Sequence, residues 1–230
     1  MGSPDLRRGM PVKRLNLLLN IHHAMLATLG PSNWWPGETP FEVAVGAILT
    51  QNTNWGNVEK AIANLKNEGA LEPKTLYRLP RERLEECLRP AGYFRLKATR
   101  LRNFLEFLKD EAGLSMEALV GRDLPGLRER LLAVKGIGPE TADSILLYAL
   151  DAPVFVIDAY TQRIFSRHGL LPEDSDYHEI QSLFMDALPR DAALFNEYHA
   201  LIVRTAKQWC VKKTPRCDSG CPLAPFLEAR

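Results

Sequence analysis

A glycine turn, Gly136-Ile137-Gly138-Pro139, and an aspartate, Asp158, closing the apolar run Val154-Phe155-Val156-Ile157 are the most chemically suggestive features of this chain. Gly136 and Gly138 allow positive φ and close approach of a ligand to the backbone. Pro139 suits a first helical position, where its missing N–H costs nothing. A helix over 140–150 would aim unpaired N–H groups and a positive dipole end at an anion such as a DNA phosphate. Ile137 would plug the turn onto its flanking helices. A fixed carboxylate at Asp158 could stabilise positive charge developing on a bound nucleotide and orient or activate water. Asp158 also precedes a helical stretch, Ala159-Tyr160-Thr161-Gln162-Arg163, so it is a natural N-cap. The two roles are compatible.

The stretch Leu132-Ala133-Val134-Lys135-Gly136-Ile137-Gly138-Pro139-Glu140-Thr141-Ala142, with Asp158 following, resembles the helix-hairpin-helix DNA glycosylase superfamily that includes endonuclease III. The resemblance implies that Gly136, Ile137 and Gly138 grip the DNA backbone and that Asp158 is the catalytic carboxylate. It also implies a monovalent cation between hairpin carbonyls and phosphate as a possible companion. Family members that also cut the sugar-phosphate chain carry Lys where this chain has Glu140, and form a Schiff base through that amine. A carboxylate cannot do so. Glu140 then reads either as a first-turn acid favoured by the helix dipole or as a pocket wall that attracts a cationic base. Lys135, at the entry to the hairpin, is not expected to substitute as nucleophile.

The aromatics bear on substrate. Trp34 and Trp35 are adjacent in Asn33-Trp34-Trp35-Pro36, and Trp55 follows Gln51-Asn52-Thr53-Asn54. An enzyme acting on a base must extrude it from the duplex and hold it between aromatic or apolar faces. A purine alkylated at N3 or N7 is cationic, and an electron-rich ring attracts a cation by about 0.5–2 kcal/mol. Trp34-Trp35-Pro36, Phe41-Glu42-Val43, Ala47-Ile48-Leu49-Thr50-Gln51-Asn52-Thr53 and the Gly-Ile-Gly-x-Glu hairpin resemble the 3-methyladenine DNA glycosylase branch. That implies a base pocket of Trp34, Trp35, Trp55 and Glu140, with Gln51 filling the gap left by the flipped nucleotide. On the residues alone, each Trp also reads as a core anchor and Gln51 as the surface end of a helix. The expected function is a monofunctional base-excision glycosylase that hydrolyses alkylated purines such as 3-methyladenine out of damaged double-stranded DNA. Two alternatives stand beside it: a bifunctional glycosylase/AP lyase for oxidised pyrimidines, and a DNA-binding module without catalysis.

Cys210, Cys217 and Cys221 cluster near the end of the chain, while Cys87 stands apart. Clustered cysteines in a chain of this class point to metal rather than disulfides. The spacing Cys210-x6-Cys217 matches a pattern with which many endonuclease III relatives hold a [4Fe–4S] cluster, but the next interval is x3 and no fourth Cys follows before Arg230. Four thiolates are the norm for such clusters. Three readings therefore stay open: a [4Fe–4S] cluster with an unusual fourth ligand, which the resemblance implies; a Zn²⁺ site completed by His or water; or a decayed site. In each the loop is structural.

These residues need a scaffold. With 230 residues and 46% hydrophobic composition the chain can build one large or two modest domains around packed cores. The net charge of +1 means that DNA affinity must come from local patches. Candidates are Arg95, Lys97, Arg100 and Arg102, and Lys207, Lys212, Lys213 and Arg216; Lys97 and Lys207 are the expected phosphate contacts, Lys97 within the family-like stretch Ala91-Gly92-Tyr93-Phe94-Arg95-Leu96-Lys97-Ala98. Both clusters also read as solvated helix faces. Periodicity predicts helices over 15–29, 41–50, 57–66, 80–88, 96–112, 127–134, 140–150, 160–168, 175–187 and 192–209, with 154–157 extended. The 41–50 helix is apolar almost all round and so central. The segment 15–29 is an amphipathic packing helix rather than a signal peptide, and a cytoplasmic monomer with no membrane partner is expected. The resemblance implies an all-α fold of two helical lobes with the helix-hairpin-helix motif at the interlobe cleft. One lobe spans 31–130 with the wedge loop; the other combines 1–30 with 131–230, the hairpin, the catalytic Asp and the Cys cluster.

Overall fold

The structure, a computed structural model, describes residues 10–227, with side chains from Lys13 onward. The outer limits of the expected lobes, 1 and 230, lie outside the described residues. Among those residues the fold is all-α, with no strand. The chain divides into two compact units, one contiguous over Trp35–Ala152, the other joining the chain up to Trp34 with the chain from Pro153.

The contiguous unit is organised around α1, Pro40–Leu49. Its side chains from Phe41 to Leu49 are all buried, as an apolar run without a polar face requires. Thr39 caps it by accepting from Glu42 N–H, and Pro40 opens it. The one acid in the run, Glu42, is buried but paired with Lys66 at 3.1 Å. Around α1 pack α2 (Trp55–Asn67), capped by Asn54, and α3 (Phe94–Ala112), which ends on Gly113 at φ 60°. α2 buries Val58, Ala61, Ile62 and Leu65, the i, i+3, i+4, i+7 stripe. Two shorter helices, α4 (Pro73–Arg78) and α5 (Arg81–Leu88), flank them; the sequence analysis did not foresee α4.

α6 (Leu124–Ala133) and α7 (Pro139–Ser144) bracket the glycine turn, and α7 continues into a π-helical stretch, Ile145–Ala149. The expected boundary at 130 thus moves to 152: residues 131–152, hairpin included, belong to the contiguous unit. The physical reason is burial. Thr141 to Leu147 are all buried, with α7 and the π-helical stretch packed on α1. Arg128 on α6 also forks onto the fully buried Asp143 carboxylate at 2.6 and 3.0 Å, fastening the two sides of the turn together.

In the other unit, α8 (Met10–Leu29) packs on α9 (Ala192–Gln208), and Tyr198 O–H donates to Leu18 O at 2.8 Å. α10 (Ala159–Arg167) lies against α9, and α11 (Tyr177–Met185) starts with a reciprocal Asp176/Glu179 capping box. Phe155, Phe165, Phe184, Phe195 and Tyr198 form an aromatic core, with Phe155 stacked on Phe184 at 3.9 Å. The segment 154–157 is buried yet pairs with no strand, so its backbone polar groups need other partners. Side chains of α11 supply them: Phe155 N–H donates to Met185 Sδ at 3.2 Å, Gln181 Nε2 to Phe155 O at 2.7 Å, and Ile157 N–H to the Tyr177 hydroxyl oxygen at 3.3 Å. No helix among the described residues is long and apolar enough to cross a membrane.

Candidate functional site

The hairpin in the contiguous unit follows from its sequence, with one difference. Gly136 has φ 98°, a conformation that side-chain-bearing residues avoid, whereas Gly138 is extended at φ −94° and caps α7. A Cβ on Gly138 would meet nothing within 4 Å, so the protein itself does not require glycine there. Ile137 is 4% exposed and plugs the turn as expected. Two carbonyls at which a cation could act are already engaged: Lys135 O accepts from Asn103 at 2.8 Å and Gly136 O from Gln51 at 3.1 Å. Glu140, second in α7, is exposed, and its carbonyl accepts from Ser144 Oγ at 2.7 Å.

Gln51 follows the end of α1 and reaches the hairpin rather than open solvent. Its Nε2 donates to Gly136 O at 3.1 Å and to Thr141 Oγ1 at 2.8 Å, and its Oε1 accepts from Arg100. The three rings Trp35, Trp55 and Tyr148 form one group. Trp35 meets Trp55 edge-on, with centroids 5.1 Å apart, and Tyr148 at 5.0 Å and 44°. Trp55 Nε1 donates to Glu59 at 2.8 Å. Gly46 explains how Trp35 fits, since a Cβ there would come within 3.2 Å of the indole. Tyr148 was missed by the sequence analysis. Its signal was a hydroxyl-bearing ring in an otherwise apolar run, and the π-helical stretch carrying it shifts the helical phase. Trp34 belongs to the other unit, where its N–H donates to Ser32 Oγ at 3.3 Å.

The first basic cluster is mostly turned inward. Lys97, expected at a phosphate, is 1% exposed and donates to Ala91 O at 2.6 Å; burial, with Arg100 second, pulls its pKa down to about 8. It holds the turn before α3 instead of facing solvent. Arg102 is spent on the carbonyls of Leu76, Tyr77 and Leu79. Of the second cluster, Lys207, Lys212, Lys213 and Arg216 are exposed, and Lys207 stands 6.0 Å from the Tyr160 ring.

Asp158 begins α10. Its Oδ1 accepts from Thr161 N–H at 2.7 Å and Thr161 Oγ1 at 2.9 Å, the cap the sequence predicts. Its Oδ2 is 3.5 Å from Nε2 of His199, a buried residue of α9 that the sequence analysis gave no role. A histidine on the buried face of α9, beside Phe195, Tyr198 and Ile202, was the available signal. Burial pushes the Asp158 carboxyl up, but His199 and the two Thr161 donors outweigh it, and the net shift is below the ordinary carboxylate value. Asp158 is therefore an anion at neutral pH.

The cysteine loop does not fit a cluster. Among the described residues no group of three or more His, Cys, Asp or Glu could hold a metal ion. Arg167 donates to Cys210 Sγ at 3.3 Å, and burial raises the Cys221 thiol. Arginine does the organising: Arg163 donates to Cys210 O at 2.7 Å, and Arg167 also to Val211 O at 2.9 Å and Lys212 O at 2.7 Å.

Residues 45–190, spanning Gln51, the hairpin, Glu140 and Asp158, match the model of the HhH-GPD superfamily of base excision DNA repair proteins. The chain belongs to that superfamily. A candidate DNA repair glycosylase of Methanocaldococcus jannaschii is 47% identical over 94% of this chain and 98% of its own length. Endonuclease III of Sulfolobus acidocaldarius is 27% identical over 82% of this chain and 81% of its own. Among solved structures, the H. pylori 3-methyladenine DNA glycosylase MagIII bound to 1,N6-ethenoadenine superposes with a TM-score of 0.74, at 30% identity, over 86% of this chain and 99% of that one. A non-covalent endonuclease III–DNA complex superposes with a TM-score of 0.78 over 93% and 95%. At 22% identity that likeness speaks for the HhH-GPD fold alone.

Proposed function

We propose that this HhH-GPD protein is a monofunctional DNA glycosylase that removes alkylated purines such as 3-methyladenine from damaged double-stranded DNA. The observation that carries the reading is the Trp35–Trp55–Tyr148 ring group, an electron-rich surface suited to a flat cationic base. Glu140 at the hairpin supports it, because a carboxyl side chain cannot form a Schiff base. So does the likeness to MagIII.

In this reading the hairpin holds the backbone, and the ring group of the same unit, with Glu140, receives the extruded base. The C1′–N bond breaks with its electron pair going to the base. A cationic purine thereby leaves neutral and needs little acid assistance. The ionised Asp158 stabilises the oxocarbenium-like sugar and orients the water whose oxygen bonds to C1′; that water's proton passes to the carboxylate and then to solvent. The Cys210–Cys221 loop, held by Arg163 and Arg167, serves as a structural support for neighbouring cations. The test is chromatography of free bases released from methylated duplex, with strand cleavage scored in parallel. Release of 3-methyladenine without cleavage is expected. A borohydride-trapped covalent adduct, or release of oxidised pyrimidines in preference, would overturn the reading.

A further inference from the structure

Both ends of the Gln51 amide are engaged in this structure, and the engagement has a direction. An amide can face either way, but arginine only donates and a carbonyl only accepts. Arg100 therefore requires the Gln51 oxygen on its side, and Gly136 O requires the nitrogen on the other. Both ends demand the same orientation, and Thr141 Oγ1 takes the second amide hydrogen. The Arg100 stem contributes too: a Cβ on Gly136 would fall 2.5 Å from Arg100 Cγ, so the turn closes against that side chain. Arg100 on α3, Gln51 after α1, Gly136 in the turn and Thr141 on α7 thus interlock within one unit.

We propose that Arg100 is a positioning residue for the hairpin, acting through Gln51. Its guanidinium sets the amide, and the amide sets the Gly136 carbonyl and the first turn of α7 in the geometry that receives a phosphate. The inference rests on reading the hairpin as the DNA grip, but its first test needs no DNA.

The experiment compares the full-length protein with Arg100→Met, Gln51→Leu, the double variant and Arg100→Lys. Hydrogen exchange at the Ile137 amide, which donates to Val134 O at 3.0 Å, and at the Ala142 amide, which donates to Gly138 O at 2.9 Å, is followed without DNA, and affinity for abasic-site duplex and single-turnover kinetics are followed with it. Arg100→Met keeps the stem against Gly136 and removes the donors. Loss of a charged hydrogen bond should speed hairpin exchange about tenfold. Gln51→Leu should do the same, and the double variant no more than either. Arg100→Lys, which restores a donor, should recover most of the protection. In Arg100→Met, binding should weaken about tenfold with the rate at saturation changed less than twofold. Unchanged hairpin exchange in Arg100→Met, or additive effects in the double variant, would overturn the proposal. Should Arg100→Met fail to fold, exchange in Gln51→Leu and Arg100→Lys decides: protection lost in the first and kept in the second supports it, and any other pattern refutes it. If the protein releases no base from any substrate, the proposed function fails while the exchange result stands.

Discussion

Replacing Asp158 by asparagine and by alanine separates two jobs that one side chain performs. Oδ1 caps α10 through Thr161, while Oδ2, 3.5 Å from His199, carries the charge assigned to catalysis. Asparagine keeps an acceptor for the cap and ranks beside aspartate as an N-cap, so Asp158→Asn should melt within a degree or two of the parent. Asp158→Ala loses the cap, about 1 kcal/mol, or a fall of about 2–4 °C for a chain of this size. Both remove the anion. Loss of a positioned carboxylate costs about 10²–10⁴-fold in rate, equivalent to about 3–5 kcal/mol of transition-state stabilisation. Single-turnover base release from alkylated duplex should therefore fall equally in both variants, while their melting temperatures differ. Affinity for abasic-site duplex should stay within about threefold for Asp158→Asn, since that change leaves the hairpin untouched. Asp158→Asn retaining activity within tenfold would refute the assignment, as would rate losses that simply track the stability losses.

Other perturbations read other parts of the molecule. Gly46→Ala should improve α1 by about 0.5–1 kcal/mol of propensity, yet its Cβ, 3.2 Å from the Trp35 indole, must displace that ring. KM for alkylated duplex should rise, and an unchanged KM would argue against the ring group as the base site. Trp55→Ala should raise that KM more than it weakens binding to undamaged duplex, with equal effects counting against the same idea. His22 is buried, with both ring nitrogens lacking a hydrogen-bond partner among the described residues; burial, then His23, hold its pKa below the ordinary value, against an opposing pull from Glu197. A base with a lowered folded pKa leaves the unfolded chain to bind protons first, so stability should fall as pH drops below about 6.5 and recover above it. His22→Phe should flatten that slope in melts recorded between pH 7 and 5.5, and a parent protein with no slope there would contradict the account. Freshly purified protein should carry iron well below one cluster per chain and show no visible charge-transfer band, while Arg167→Ala should lower the melting temperature by several degrees. Stoichiometric iron, or an indifferent Arg167→Ala, would reverse the reading of the cysteine loop.

Local pattern carried much of this fold. The all-round apolar run at 41–49, the stripe of α2 and the Gly-Ile-Gly-Pro turn each state a conformation within a few residues, and the structure has them where the sequence puts them. Asp158 as a cap was equally legible, because its partner is three residues away. What stayed hidden depends on partners far along the chain. Gln51 finds the hairpin 85 residues on, and Arg100 turns inward to Gln51 where a surface cation was expected. Lys97 looks basic and exposed in sequence, but its stem continues the buried stripe of α3 while its ammonium caps a nearby carbonyl. His199 and Tyr148 are polar-tipped residues in apolar faces, and periodicity classes such residues as core without naming what they touch. The boundary at 130 came from the resemblance, and the chain after the hairpin stays with the contiguous unit to Ala152 because it is buried there.

The extended run leading into Asp158 has a lineage-level consequence. Its registration is written in Tyr177, Gln181 and Met185 of α11, not in a neighbouring ladder of amides. Drift in a surface-flanked helix can therefore retune the aim of the carboxylate without altering any group that meets DNA.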